Sequence, residues 1–468
     1  MLKMGELSVK ILFVTYANDE IEKRCLLALR KYTHDDKGIV MVDGHNGKSL
    51  TKIWNEEIEK ADSDFILLVN SDVIVTPEYL QKMMKVMDNE KIAVVSPSTC
   101  QCGSRQKLSE YTDKRYDYSD VDIEGVASEV WDKYGEELVD TDVSGFCYLL
   151  RKRAWQEVGK FNEFFSFYGQ ESELNHRLVK GGWRVVWAKG IYVHHFGGHS
   201  IATVDSDKVK EEKLTAKLLY DFYTKPAKLN ELKSLKRLDE TMDKGRACLI
   251  RYGDGELRMM AGWEGKKRNQ FNSPEIKKRL NEVYRHESPD YFIGLTIEEP
   301  NPYLNAKFGS VEEVKMAASY VRKEYLDANF FHKLSVYHPD LLIDFWKRRL
   351  SGKNILVIGN YYLKLPFLHE FIGIPKRQAY YSMDVFMPEA LEKAKKADVI
   401  LVGGGIAGKI IAYELYRNSR ATVIDVGSWI DMFNDDISRS WLVTAQNEIK
   451  IFKDKFYEAV CNCNTKVE

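Results

Sequence analysis

FILLVNSDVIV, residues 65–75, decides how the first half of this chain is read. Phe65 to Val69 form an apolar run of strand length, as expected for a strand covered on both faces. Asn70-Ser71-Asp72 ends it, which puts Asp72 at the carboxyl end of that strand. Upstream, KILFVTY (10–16) and GIVMVDG (38–44) read as two more buried strands. EIEKRCLLALRKY (20–32) and SLTKIWNEEIEKA (49–61) read as the helices between them, and GHNGKS (44–49) as a turn. Strands alternating with helices predict an α/β layer with a mainly parallel sheet, whose sites lie at the carboxyl ends of the strands.

Downstream of Asp72, Glu171 and Glu173 stand in FYGQESELNHRLVKGGWRVVW (167–187) at the start of a helix whose later turn carries Arg177. His194 and His195 follow the strand IYV (191–193). An acid after a strand also serves as a turn or cap residue, and acids in a first helical turn also favour the helix dipole. Their order is what points to chemistry. Transfer of a sugar from a nucleotide diphosphate needs a divalent cation held by carboxylates to take up charge on the leaving group. It also needs a carboxylate base for the acceptor hydroxyl.

The α/β pattern resumes with RACLIRYGDGEL (246–257) and continues through KNILVIGN (353–360), ADVILVGGG (397–405) and RATVIDVG (420–427). Asp254 and Glu256 lie two apart around Gly255, a spacing that suits one cation, with Arg251 close enough to pair with phosphate. The alternative is a helix cap with an acidic first turn. GGGIAGK (403–409) satisfies GxGxxG after a strand, with Asp425 about twenty residues on, as a dinucleotide site would. It also reads GxxxxGK, but Ile410 replaces the Ser or Thr of a P-loop. A Gly-rich turn cradling a diphosphate fits either an NAD or a nucleotide-sugar site.

The whole composition sets the frame. The 468 residues exceed one core and imply two domains. Hydrophobic residues make up 44% and charged ones 30%, as in folded globular protein. A net charge of -1 gives no global field for nucleic acid or anionic lipid. No apolar run reaches the roughly 20 residues needed to span a bilayer, and MLKMGELSVKILFVTY lacks a signal peptide's pattern. Seven scattered cysteines without zinc-site spacing lead to the expectation of reduced thiols in a cytoplasmic protein. The Lys-rich stretch 205–237 reads as a solvated helical connector rather than a membrane-surface helix.

The motifs from Val9 to Ser200 resemble glycosyltransferase family 2, whose fold is termed GT-A. They are VKILFVTYANDE, VDGHNGKS, LLVNSDV, VSGFCYLLRKRAWQEVGKFNEFF, GQESELNHRL and HFGGHS. The resemblance implies Thr15 and Tyr16 near the nucleotide and Asp43 at base or ribose. It makes Asp72 the metal and diphosphate residue, Glu171 the base and His195 the residue completing the metal shell. Asn70 replaces the family's usual Asp as a donor-side residue, and Gln170-Glu171 stands at its acidic pair. Inversion at the anomeric carbon is implied.

RYGDGEL together with the Gly-rich turn resembles the GT-D glycosyltransferases over roughly 238–433. That likeness implies Asp254 and Glu256 as metal ligands, and Gly403, Gly405 and Asp425 at the nucleotide. Ser428 stands where members often carry His.

The expectation is therefore an α/β chain of two Rossmann-like nucleotide-sugar-binding domains in tandem, GT-A at 1–204 and GT-D at 238–468, joined by the helical linker 205–237. It would use Mn2+ or Mg2+ and nucleotide-sugar donors, UDP- or dTDP-linked. It would act on a glycan, glycoprotein or lipid-linked acceptor, with peripheral contact at the inner membrane face compatible with its surface. Two rivals concern the second half: a glycan-binding or docking module, and an NAD-dependent oxidoreductase acting on sugar nucleotides.

Overall fold

The computed structural model describes residues 8–16, 20–33, 38–44, 46–111, 122–197, 206–262, 273–295, 311–434 and 445–461. The described residues divide into two compact units, one running to Thr224 and the other starting at Lys225. The boundary falls within the stretch read as a linker. Ser206–Thr224 is a helix of the first unit, which buries Leu219, Phe222 and Tyr223. Glu231–Asp243 is a helix of the second, with Leu238 buried. No described helix is long and apolar enough to cross a membrane, and the described cysteines are free thiols.

The first unit holds strands β1 (Val9–Thr15), β2 (Ile39–Asp43), β3 (Phe65–Asn70), β4 (Val73–Ile74), β5 (Ile92–Ser98), β6 (Leu138–Asp140), β7 (Cys147–Arg151), β8 (Arg184–Tyr192) and β9 (His194–His195). Seven of them form one sheet in the order β2-β1-β3-β7-β5-β8-β6. Pairing is parallel through β2-β1-β3 and between β5 and β8. β7 runs antiparallel to β3 and β5, and β6 antiparallel to β8. The sheet is thus mixed, where a mainly parallel one was expected: β7 enters at the site edge, so it runs opposite to its neighbours. Leu12, Val14, Ile66 and Leu68 pack into one core layer, and Ile11, Phe13, Leu67 and Val69 into the other. Alternate side chains of a strand point to opposite faces, so both faces of β1 and β3 are covered.

The second unit holds β10 (Ala227–Lys228), β11 (Cys248–Tyr252), β12 (Tyr291–Leu295), β13 (Glu324–Asp327), β14 (Ile355–Asn360), β15 (Glu370–Ile374), β16 (Val399–Gly403) and β17 (Thr422–Asp425). They form one eight-stranded sheet in the order β10-β13-β12-β11-β17-β16-β14-β15, and every recorded pairing is parallel. The chain leaves β14 toward β15 on one side and leaves β16 toward β17 on the other. That reversal is a topological switch point, the crevice where ligands of open α/β sheets bind. The turn after Gly403 borders it.

Candidate active site

In the first unit, Asp72 and His195 meet through the short β4-β9 ribbon. Val73 pairs with His195, and the Phe196 N–H donates to the Asp72 carbonyl at 3.0 Å. His195 Nε2 then lies 3.3 Å from Asp72 Oδ1, with both side chains buried. On the far side of the ring, Nδ1 is 2.6 Å from the Gln101 carbonyl, which only accepts, so Nδ1 carries the proton. Nε2 therefore turns a lone pair toward a carboxylate, an arrangement stable with a cation or a proton between them. These two residues fit a divalent cation. Among the described residues no group of three or more His, Cys, Asp or Glu is gathered for a metal.

His194 faces the other way, as alternation along a strand requires. Its ring packs 4.7 Å from Phe196, and Nδ1 meets Tyr192 Oη at 3.2 Å. Burial, with His195 adding to it, pushes its pKa down to about 4, so it stays neutral. It takes no part in the site.

Glu171 sits in the first turn of the helix Gln170–Lys180. Its Oε1 accepts from the Gly145 N–H at 3.2 Å. Oε2 is sealed from solvent and accepts no hydrogen bond from any described residue. Desolvation raises the pKa of this carboxyl above the ordinary value; the nearby Asp142 charge adds to that, while backbone N–H groups oppose it. A buried acceptor left unpaired costs about 1–3 kcal/mol.

The dipeptide Gly145-Phe146 connects Glu171 to the Asp72–His195 pair. Phe146 stacks on the His195 ring, centroids 5.1 Å apart, and its carbonyl accepts from the Asn70 N–H at 2.9 Å. Asn70, Asp72, Glu171 and His195, distant in sequence, are thus assembled around two consecutive residues. Thr15, Tyr16 and Asp43 form a second group at the carboxyl edge of β1 and β2. Thr15 is in register with exposed Asp43, and its Oγ1 donates to the Val42 carbonyl at 3.2 Å. The Tyr16 ring lies against Gly44, where any Cβ would fall 2.2 Å from it. Burial pushes the Tyr16 phenol up to about 12, so it is a neutral group.

Glu173 proves to be a clamp. Its carboxylate takes both Arg177 Nε and Nη2 at 2.7 Å, while Arg177 also donates to the carbonyls of Val158, Gly159 and Lys160. The helix bearing Glu171 is thereby tied to the segment before it. Its N-cap, Gly169, has φ +81, and a Cβ there would stand 3.1 Å from the Phe165 ring. Gly169→Ala is expected to destabilise the first unit by about 1–3 kcal/mol, a shift that chemical denaturation would read.

In the second unit the helix Asp254–Met260 starts at Asp254, with Gly253 as N-cap. The Asp254 side chain lies outside the described part of the structure. Glu256 Oε2 accepts from the Gly253 N–H at 2.9 Å, which is the cap reading of this acid. Its Oε1 is 3.5 Å from Lys409 Nζ. Lys409 Nζ is also 2.9 Å from Asp425 Oδ2.

Two residues expected on the nucleotide have other partners here. Asp425 has no exposed surface and accepts from the backbone N–H groups of Arg251 and Gly427, both at 3.1 Å. Arg251 gives its guanidinium to the carbonyls of Ala328 and Val426 and to Asn329 Oδ1. Both groups are buried and tie strand ends together instead of reaching outward. Gly403 ends β16, and Gly405, at φ +57, opens the helix Gly405–Asn418 with no atom where a Cβ would stand closer than 4 Å. Gly404 is the tight position, since its Cβ would lie 2.8 Å from Gly408 Cα.

The motif reading met Lys409 only as the lysine of GxxxxGK and gave it no role once Ile410 spoke against a P-loop. A sign of it was present: a lysine inside the apolar run Ile406–Tyr413 must find a buried partner.

Residues 2–211 match the model described as glycosyltransferase-like family 2. That match spans nearly all of the first unit. Over 58 residues the chain is 38% identical to an N-acetylglucosaminyl-diphospho-decaprenol L-rhamnosyltransferase of Mycobacterium tuberculosis, in two strains. That match covers 12% of this chain, which spans only 19% of the relative's length. Three solved structures of domain of unknown function 1792 are similar at 17–20% identity and TM-scores of 0.37–0.38. They cover 46–47% of this chain and 82–87% of theirs; one is described as having a distinct glycosyltransferase fold, and another is a glycosyltransferase from Streptococcus sanguinis. The region matched to family 2 thus contains every residue of the Asp72–His195–Glu171 arrangement.

Proposed function

We propose that the chain is a bifunctional, metal-dependent glycosyltransferase that moves sugars from UDP- or dTDP-linked donors to a bacterial glycan. The observation that carries the first activity is Glu171: a desolvated carboxylate with one oxygen on Gly145 N–H and the other without a partner among the described residues, joined to Asp72 and His195 through Gly145-Phe146. Asp72 and His195 would hold Mn2+ or Mg2+, which when bound takes up charge on the departing diphosphate. Glu171 draws the proton from the acceptor hydroxyl, giving inversion in one displacement. Thr15, Tyr16, Asp43 and Asn70 would line the nucleotide side. The relative named above acts on a lipid-diphosphate-linked sugar, and a lipid-linked saccharide is accordingly proposed as one acceptor class, reached by peripheral membrane contact.

For the second unit the proposed ligands of the cation are Asp254 and Glu256, with the Gly403–Gly405 turn at the diphosphate. The burial of Asp425 speaks against the NAD alternative, because that motif needs its acid free to take a ribose hydroxyl. The docking-module alternative is separated by Asp254→Ala with Glu256→Ala: a transferase loses its second product, and an inert module loses none.

The direct test incubates the purified chain with Mn2+ and a panel of nucleotide sugars and follows free nucleotide. Release that EDTA abolishes supports the reading, and its absence with every donor and acceptor refutes it. His195→Ala is expected to weaken the first unit's Mn2+ dependence by about 10–100-fold, as loss of a ligand or its orientation does in metal sites. An unchanged Mn2+ titration would remove His195 from the shell.

A further inference from the structure

Lys409 projects from an apolar helix and is 5% exposed. Its ammonium touches two acids from different elements: Asp425 Oδ2 at 2.9 Å from the end of β17, and Glu256 Oε1 at 3.5 Å from the helix after β11. Each Asp425 oxygen also accepts one backbone N–H, and Glu256 Oε2 accepts that of Gly253. The one carboxylate oxygen in this set not fixed by a backbone donor is therefore Glu256 Oε1, and it faces Lys409. The four buried side chains Lys409, Arg251, Glu256 and Asp425 sum to zero charge. A divalent cation brought alone to Glu256 would meet a fixed ammonium 3.5 Å from its ligand oxygen. A cation arriving with a diphosphate would not carry that excess charge.

We infer that Lys409 is the internal counter-ion of the second unit's acidic edge, holding the place beside Glu256 against free divalent metal so that metal enters only together with the donor's diphosphate. The inference rests on the proposed role of Asp254 and Glu256 as cation ligands. Lys409 is a positioning residue in this account, because it acts through Glu256. Removing its charge should make the acids bind metal more tightly, whereas a residue that only held the fold would bind it more weakly or not at all when lost.

The test uses the full chain with Asp72→Asn, which silences the first unit's cation site, and titrates Mn2+ alone by electron paramagnetic resonance. Adding Lys409→Gln should tighten Mn2+ binding by about tenfold or more, since a neighbouring like charge is removed. Adding Glu256→Gln to that variant should abolish the gain. Lys409→Arg keeps the charge and should leave Mn2+ binding as weak as with Lys409, which provides a reading should the Gln variant fail to fold. Mn2+ binding that Lys409→Gln leaves unchanged or weakens, or that Lys409→Arg tightens, overturns the inference. A gain that survives Glu256→Gln refutes the ligand assignment instead.

Discussion

Glu171→Gln should lower transfer by the first unit about 100- to 10,000-fold, the usual worth of a positioned general base. Glutamine keeps the shape and the contact with Gly145, so the loss belongs in kcat with little change in donor affinity. The pH dependence follows from the raised carboxyl pKa. Glu171 works only when ionised, so kcat/KM of the wild type should rise with pH through a value above the ordinary carboxylate range. Stability moves the other way. A group whose folded pKa exceeds its unfolded one binds more protons when folded, so stability falls as pH rises through that window. Glutamine does not ionise, and the variant should therefore melt higher than wild type at neutral pH and alike at low pH. A variant that is inactive yet more stable would mark this acid as kept for chemistry at a structural cost. Near wild-type transfer would end its assignment as the base.

The second large effect is structural. Arg177→Met is expected to destabilise the first unit by about 3–5 kcal/mol, because Glu173 would be left charged, buried and unpaired. Three carbonyls, of Val158, Gly159 and Lys160, lose their donor as well. Against a typical domain stability of about 5–15 kcal/mol, such a loss is readily seen in urea denaturation of the first unit. The double variant Arg177→Met with Glu173→Leu should recover much of it, since replacing both partners removes the stranded charge. Recovery absent from the double variant would mean the clamp is not what holds the helix.

The sequence made the strands legible, because runs such as Phe65–Val69 and Val399–Val402 are apolar without interruption and strands buried on both faces look like that. It also pointed to Asp72, Glu171 and His195 as a candidate set, since each adjoins a strand end or helix start visible in the pattern. What stayed hidden depends on contacts between distant segments. Glu173 and Glu171 are both acids of one helical turn, and nothing local says that one binds an arginine while the other meets a backbone N–H. Arg251 looked like a phosphate partner and Asp425 a nucleotide residue by its spacing from the Gly-rich turn, yet here both side chains are buried and bonded to backbone groups. The mixed direction of the first sheet was equally unreadable, for a strand's periodicity carries no sense of its direction. The division at Thr224 was obscured because one Lys-rich composition runs through two helices that bury their apolar faces in different units.

The dipeptide at 145–146 has a consequence for anyone reshaping this protein. Glu171, the proposed base, leans on one of these residues and the His195 imidazole, proposed for the metal, on the next, so the two halves of the proposed reaction share a single mount. Acceptor preference can be re-engineered on the surrounding loops, but a displacement of that mount is felt at donor and acceptor alike, and no compensating change on one side restores the other.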